Sequence, residues 1–203
     1  EEFKWAMNYH ATIPLLKQCF QEKKPLGDAT NRKLMRDLRL YMLVGGMPKA
    51  VATLIETNNL EKVDRVKRGI INLYEKDFNR IDPTGNASKI FHQIPAQLTG
   101  NANRYMTWQA TDGVAQSSLI EIISEMKESM VVNIAYHAND PNAGMALHHS
   151  TDNFKMYLGD TGLFITLAFW DKKFTDNIIY HKLLSDKLAA DLGYVYENVV
   201  SQM

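Results

Sequence analysis

The chain has 203 residues, 45% apolar and 23% charged, with a formal net charge of zero, which is the balance of an ordinary globular protein large enough to bury a core. No apolar run approaches the ~18 residues of a membrane span, so no membrane partner is expected, and the opening EEFKWAMN does not read as a secretory leader. One cysteine, Cys19, excludes an internal disulfide, suits a reducing cytoplasm, and is expected as a buried structural thiol.

The neutral total conceals a division. Residues 1–100 hold 16 Lys+Arg against 11 Asp+Glu, and residues 101–203 hold 7 against 12. Any nucleic-acid contact is therefore expected on the first half, where cations can neutralise phosphates. Two solvated faces of opposite sign account for the same numbers.

In chain order, the first segment is helical, with Phe3, Trp5, Met7, Ile13, Leu15, Leu16 and Phe20 as apolar positions and Pro14 as its break. QEKKPLGDAT (21–30) is a turn-rich link. Leu34, Leu38 and Tyr41 at helical spacing predict a second helix over 31–43. Gly45-Gly46 follows as a corner, with Gly45 as a left-handed C-cap and Pro48 in the first position of a third helix carrying Ala50, Val51, Leu54 and Ile55.

Asn58 and Glu61 resemble a capping box. The helix beyond them places Leu60, Val63, Val66, Ile70, Leu73, Tyr74 and Phe78 on one face and Arg65, Lys67, Arg68, Lys76 and Arg80 on the other, until DPTGN (82–86) stops it. KIFHQIPAQLTG predicts a short helix with Ile90, Phe91, Ile94 and Leu98 inward, and TWQATDGV an abbreviated one. SSLIEIISEMKESM predicts a helix opened by Ser117 or Ser118, with Leu119, Ile122, Ile123, Met126 and Met130 inward. VVNIAYH, the turn NDPNAG and MALHH predict a hairpin, FKMYL (154–158) a third extended segment, and DTGLFITLAFW (160–170) a helix capped by Asp160 or Thr161. The fold expected is mainly α with a small β-hairpin: a helical bundle, a winged-helix-like segment with NDPNAG at the wing, and C-terminal helices. Both ends read as cut, since the chain starts without Met in helical composition and closes on YVYENVVSQM in mid-pattern.

Three candidate sites arise. A phosphate loop needs G-x-x-x-x-G-K-[ST] between a strand and a helix, but Lys49 stands three residues after Gly46, Ala50 replaces the hydroxyl, and the preceding run is helical. His148, His149 and Asp152, with His137 across the hairpin, raise a metal site; neighbouring residues of a strand point to opposite faces, so solvated wing residues are the favoured reading and no metal is assigned. For DNA, the helix SSLIEIISEMKES presents Glu121, Glu125 and Glu128 against one Lys127, which phosphates repel. The candidate nucleic-acid contacts are instead Arg65, Lys67, Arg68, Lys76 and Arg80, a face that solvation alone also explains.

EEFKWA, KKPLGDATNRKLMRDLRLYMLVGGMPKAV, INLYEKDF, KIFHQIPAQL, FKMYLGDTGL and YVYENVV occur in this order across nearly the whole chain. Together they resemble the predicted bacterial and archaeal AAA+-type ATPases whose C-terminal half is a domain of unknown function. The resemblance implies three regions. Residues 1–85 continue from a missing N-terminal ATPase module, 86–158 are winged-helix-like, and 159–203 begin a truncated PD-(D/E)XK nuclease-like domain, in which Glu197 matches an early acidic position. It implies ATP and Mg for the missing module and no cofactor, catalytic residue or metal in this chain. The function expected is a non-catalytic docking or transmission element between ATPase module and nuclease-like domain. A standalone DNA-binding winged-helix regulatory module is the alternative. SEMKESMVVNI replaces a longer aromatic-rich stretch of that family, which leaves the winged-helix register open.

Overall fold

The computed structural model describes residues 1–100, 104–107, 111, 113–138, 149–173, 180, 184 and 193–202. Among them are the helices α1 (Glu2–Ala6), α2 (Thr12–Gln21), α3 (Asp28–Val44), α4 (Pro48–Thr57), α5 (Leu60–Ile81), α6 (Asn86–Thr99), α7 (Gln116–Glu128), α8 (Thr161–Ala168) and α9 (Gly193–Val200). Strands β1 (Val132–Ala138) and β2 (His149–Leu158) form one antiparallel two-stranded sheet. The protein is mainly helical with a small hairpin, as its patterning predicts. No single described helix is long and apolar enough to cross a membrane.

The molecule is built around α8. Its sequence TGLFITLA has no polar arc, and every residue from Thr161 to Leu167 is buried, as befits a helix that is apolar all round. It packs on α3, α5, α6, α9 and β2. The core around it joins Met42 and Leu43 of α3, Ile71 and Phe78 of α5, Phe91 and Ile94 of α6, Met126 of α7, Met156 of β2 and Val195 of α9. One continuous core thus runs through all three segments that the sequence distinguishes. Phe78 and Phe91 pack at 5.2 Å between ring centroids, with Tyr74 edge-on to Phe91, a favoured aromatic geometry. A smaller cluster of Val44, Ala50, Val51, Leu54 and Val63 fills the α3–α4–α5 corner.

Several local expectations shift. The break in the first segment lies at residues 7–11, where Asn8 has φ 62°, and Pro14 stands inside the first turn of α2, where an amide donor has no intrahelical partner to lose. α2 buries no residue: Phe20 is 85% exposed and Cys19 only half-buried, so the thiol is not a core group. The cap of α5 is Asn59, whose side chain accepts from the amides of Glu61 and Lys62, while Asn58 ends α4 in the left-handed region. Leu73 is 57% exposed, because the inward face of α5 runs through Val63, Asp64, Lys67, Ile71 and Phe78. Met130 is 81% exposed beyond the end of α7, at φ 57°. α7 starts at Ala115 with no side-chain cap.

The hairpin is longer than expected. FKMYL is not a third extended segment but part of β2, pairing with VNIAY of β1 from Val132↔Leu158 to Tyr136↔Phe154. The register then breaks, and His137 pairs with Ser150 and Ala138 with His149. NDPNAG, most of MALHH including His148, and much of TWQATDGV lie outside the described residues.

Gly45 has φ 81° and ψ −171°, a region open essentially to glycine alone, rather than the left-handed helical conformation expected of its cap. A Cβ there would overlap the Asp160 carboxylate, with Oδ2 at 2.6 Å. Gly85 has φ 79° but open space around it. Gly45→Ala should therefore lose about 3 kcal/mol or more, backbone strain and overlap together, against about 1 kcal/mol for Gly85→Ala. Urea midpoints at unchanged m-value measure both, and equal losses would contradict this account of the corner.

Candidate functional site

The most concentrated polar chemistry lies where the end of α3 meets the start of α8. Asp160 caps α8, its Oδ1 accepting from the Leu163 amide at 2.8 Å, while Oδ2 accepts from the Gly46 amide at 2.6 Å. Burial raises its pKa, against the opposing pull of those amides and of Lys67. The two helix ends touch backbone to backbone: a Cβ on Gly162 would overlap the Val44 carbonyl oxygen and lie 2.5 Å from the Gly45 amide nitrogen. The negative end of one helix dipole thereby abuts the positive end of another.

Beneath this contact α5 supplies a buried ammonium and a buried carboxylate. Lys67, with no exposed surface, donates to the carbonyls of Leu43 at 2.6 Å and Gly162 at 3.2 Å and to Tyr180 Oη at 3.1 Å. Asp64 Oδ1 accepts from Tyr180 Oη at 2.7 Å and Thr166 Oγ1 at 3.3 Å, and its Oδ2 from Arg68 Nε at 2.8 Å. Arg68 also donates to the carbonyls of Trp170 at 2.8 Å and Lys172 at 2.6 Å, closing the C-terminal end of α8. Desolvation lowers the Lys67 pKa to about 8, against the opposing attraction of Asp64 and Asp160, and burial followed by Asp64 pushes the Tyr180 hydroxyl far up.

A third layer comes from α9. Asn198, fully buried, accepts from the Leu158 amide at 2.9 Å and donates to its carbonyl at 3.1 Å, satisfying both backbone groups at the end of β2. Gln202 donates to the Gly159 carbonyl at 2.7 Å and accepts from Thr161 Oγ1 and Tyr41 Oη. Glu197 accepts from Lys155 Nζ at 3.0 Å and Tyr157 Oη at 3.2 Å, and burial with this carboxylate pushes the Tyr157 hydroxyl up to about 12.

The five cationic positions expected on one face of α5 separate. Lys67 is corrected from solvent to core: no nucleic acid can reach it, because its ammonium is the donor for carbonyls that α3 and α8 turn inward. Arg68 is half-buried and committed to Asp64 and three carbonyls. Arg65 is exposed and paired with Glu61, Arg80 is exposed and paired with Asp77, and Lys76 is exposed. Glu197 lies on the surface, about half-exposed and engaged with Lys155 and Tyr157. His137 is exposed on β1, and no group of three or more metal-ligating side chains occurs among the described residues.

The junction does not fit a nucleotide, since the Gly46 amide is taken by Asp160 and the Gly45 amide by the Tyr41 carbonyl. A cleft of about 430 Å³ opens past the other, C-terminal end of α8, lined by Glu61, Arg65, Arg68, Trp170 and Lys172 among others. Every buried side-chain nitrogen or oxygen among the described residues has a partner. A saturated network of this kind fixes the backbone of the elements it joins.

A family profile described as a domain of unknown function (DUF8612) matches residues 35–173. The chain belongs to this family. The DUF8612 match takes in the Gly-Gly corner, Asp64, Lys67 and Asp160–Gly162, and ends before Glu197 and Asn198 of α9 and Gln202 just beyond it. No curated protein and no solved structure matches the chain.

Sequence patterning finds Asp160 as a cap but not its bond to Gly46; it places Lys67 on the wrong side of α5 and does not single out Asp64. Asn198 has a signal only in E-N-x-V, which carries no geometry.

Two measurements follow from the network. The folded state holds the Lys67 proton less tightly than the unfolded chain, so wild-type stability relative to Lys67→Met should be flat below pH 8 and rise by about 2 kcal/mol toward pH 9.5. A difference that stays constant or falls would mean that the ammonium is not desolvated. Asn198→Ala should cost about 2–4 kcal/mol by leaving two buried backbone groups unpaired, whereas Glu197→Gln, at a half-exposed pair, should cost under about 1 kcal/mol. Thermal and urea unfolding rank the two.

Proposed function

We propose that this DUF8612 chain is a non-catalytic docking and transmission element of a larger AAA+-type ATP-binding protein, standing between the ATPase module and the nuclease-like portion that its sequence resemblance implies. The observation that carries this reading is Asp160, whose one carboxylate ties the corner after α3 to the first turn of α8. Gly45 and Gly162 bring the two backbones so close that a displacement of α3 has no slack to absorb it. α8 in turn packs on α5, α6, α9 and β2, so motion applied to α3–α5 would reach the α9 side as a rigid-body shift, the usual response of a close-packed core. ATP and Mg would be handled by the implied module, and the single cysteine agrees with a cytoplasmic setting. No specific observation favours the DNA-binding alternative, whose expected basic face is interrupted at Lys67 and Arg68.

Isothermal titration of the chain with Mg-ATP should give no saturable binding up to about 1 mM, the upper range of common enzyme affinities, and no phosphate release. The reading frame upstream should encode a phosphate-loop module. Saturable nucleotide binding by the chain itself, or a frame without that module, would overturn the reading.

A further inference from the structure

The least covered part of the molecule is its N-terminal face. α2 contributes nothing to the core, although Ile13, Leu16 and Phe20 fall on one helical arc with Leu15 and Cys19 beside it. Phe20, Leu15 and Leu16 are exposed, as are Trp5 and Tyr9. This apolar face is fastened to α3 by the Lys4–Asp37 ion pair and by Lys33, whose ammonium lies 4.7 Å from the Tyr9 ring centre. Next along α3, Arg32 and Arg36 stand at i and i+4 on an exposed stripe and engage no carboxylate among the described residues. Of the nearby lysines, Lys17 pairs with Glu1 and Lys24 with Glu22, while Lys23 is exposed.

The complement is present on the same chain. α7 packs through Leu119, Ile123 and Met126 and exposes Glu121, Glu125 and Glu128 at i, i+4 and i+7. None of the three is paired with a cation among the described residues. Two exposed apolar side chains, Ile120 and Met130, stand at the edge of that stripe. α7 packs on α6 and β1, whereas α3 packs on α4, α5 and α8, so the two faces are built on different parts of the core. Matching charge at matching helical spacing, with apolar groups alongside both stripes, is the pattern of two surfaces that fit one another.

We propose that the α1–α3 face of one copy docks on the α7 face of a second copy, head to tail, with Arg32 and Arg36 against the Glu121–Glu125–Glu128 stripe and Phe20 with its apolar neighbours covered by Ile120 and Met130. Exposed ion pairs contribute at most about 1 kcal/mol each, less than the several kcal/mol lost when two molecules associate. The apolar side chains therefore supply most of the affinity, and the charges select orientation and register. After docking each copy keeps one free face, and the pair keeps one of each kind, so the association continues beyond a dimer unless it closes into a ring.

Sedimentation velocity of the chain tests this. The weight-average mass should rise with protein concentration over about 10–300 μM at 50 mM NaCl and rise far less at 500 mM, as screening predicts. Arg32→Glu/Arg36→Glu and Glu121→Lys/Glu125→Lys should each be monomeric alone with unchanged circular dichroism. Mixed in equal amounts, they should associate again, because the intact Arg and Glu faces form one complementary pair and the two reversed faces form another. Phe20→Ser, at a position that buries nothing, should weaken wild-type association about tenfold or more. A wild-type chain that stays monomeric at 300 μM in low salt, reversals that leave the mass unchanged, or a mixture that stays monomeric would each overturn the proposal. So would a monomeric chain whose Arg32 and Arg36 instead bind phosphatidylserine vesicles, which would assign the face to an anionic lipid surface.

Discussion

The structure depends on the approach of two helix ends, the last turn of α3 and the first turn of α8, to backbone contact. Such an approach leaves carbonyl and amide groups facing each other without water, and a buried unpaired group of either kind costs free energy comparable to a lost hydrogen bond. Asp160 accepts the amides of Leu163 and Gly46 on one side. Lys67 donates to the carbonyls of Leu43 and Gly162 on the other. Removing a charge from water is itself expensive, and burial does press both groups toward their neutral forms. The arrangement persists because each charge is saturated with partners and because the helix that carries Asp160 is the one around which the whole core packs.

That contact also explains why particular short motifs stand out along the chain. G-G-M-P, K-x-Y-x-x-D-T-G-L and E-N-x-V are far apart in sequence, yet their side chains meet at one junction. Gly45 and Gly162 leave room for the backbones, Asp160 bridges them, and Asn198 closes the end of β2. Lys155, Tyr157 and Glu197 form the outer edge of the same assembly. Gly45, Gly162, Asp160 and Asn198 are each required by a backbone group that needs a partner or by a space too small for a Cβ. These are demands of folding and rigidity.

Much of the architecture is legible in the residue order, because helical periodicity and turn chemistry act locally. The Gly-Gly corner, Pro48 at the start of α4, the Asp160 cap and the uniformly apolar α8 all follow from residues within one or two turns of each other. The errors share one origin. On α5, periodicity set Leu73 inward and Lys67 outward, since apolar residues favour the core. The inward face instead carries Asp64 and Lys67, whose partners lie about a hundred residues away on α8 and at Tyr180. Met130 and the α2 side chains err in the opposite sense: they are apolar at helical spacing, but nothing in the described fold covers them. FKMYL was legible as extended, whereas its merger with the preceding residues into β2 depended on pairing with β1.

By itself, the sequence determined the type and approximate span of most elements, the glycine corner, and the division of charge between the halves, all of which rest on near-neighbour sterics and on composition. Tertiary structure alone decided that a lysine and an aspartate of a charged-looking helix are core residues, that an arginine caps a distant helix, and that the Asp160 cap also holds the corner it faces. The physical reason is range. Backbone preferences act over a few residues, whereas the partner that makes a buried charge tolerable is defined only once remote segments are packed together.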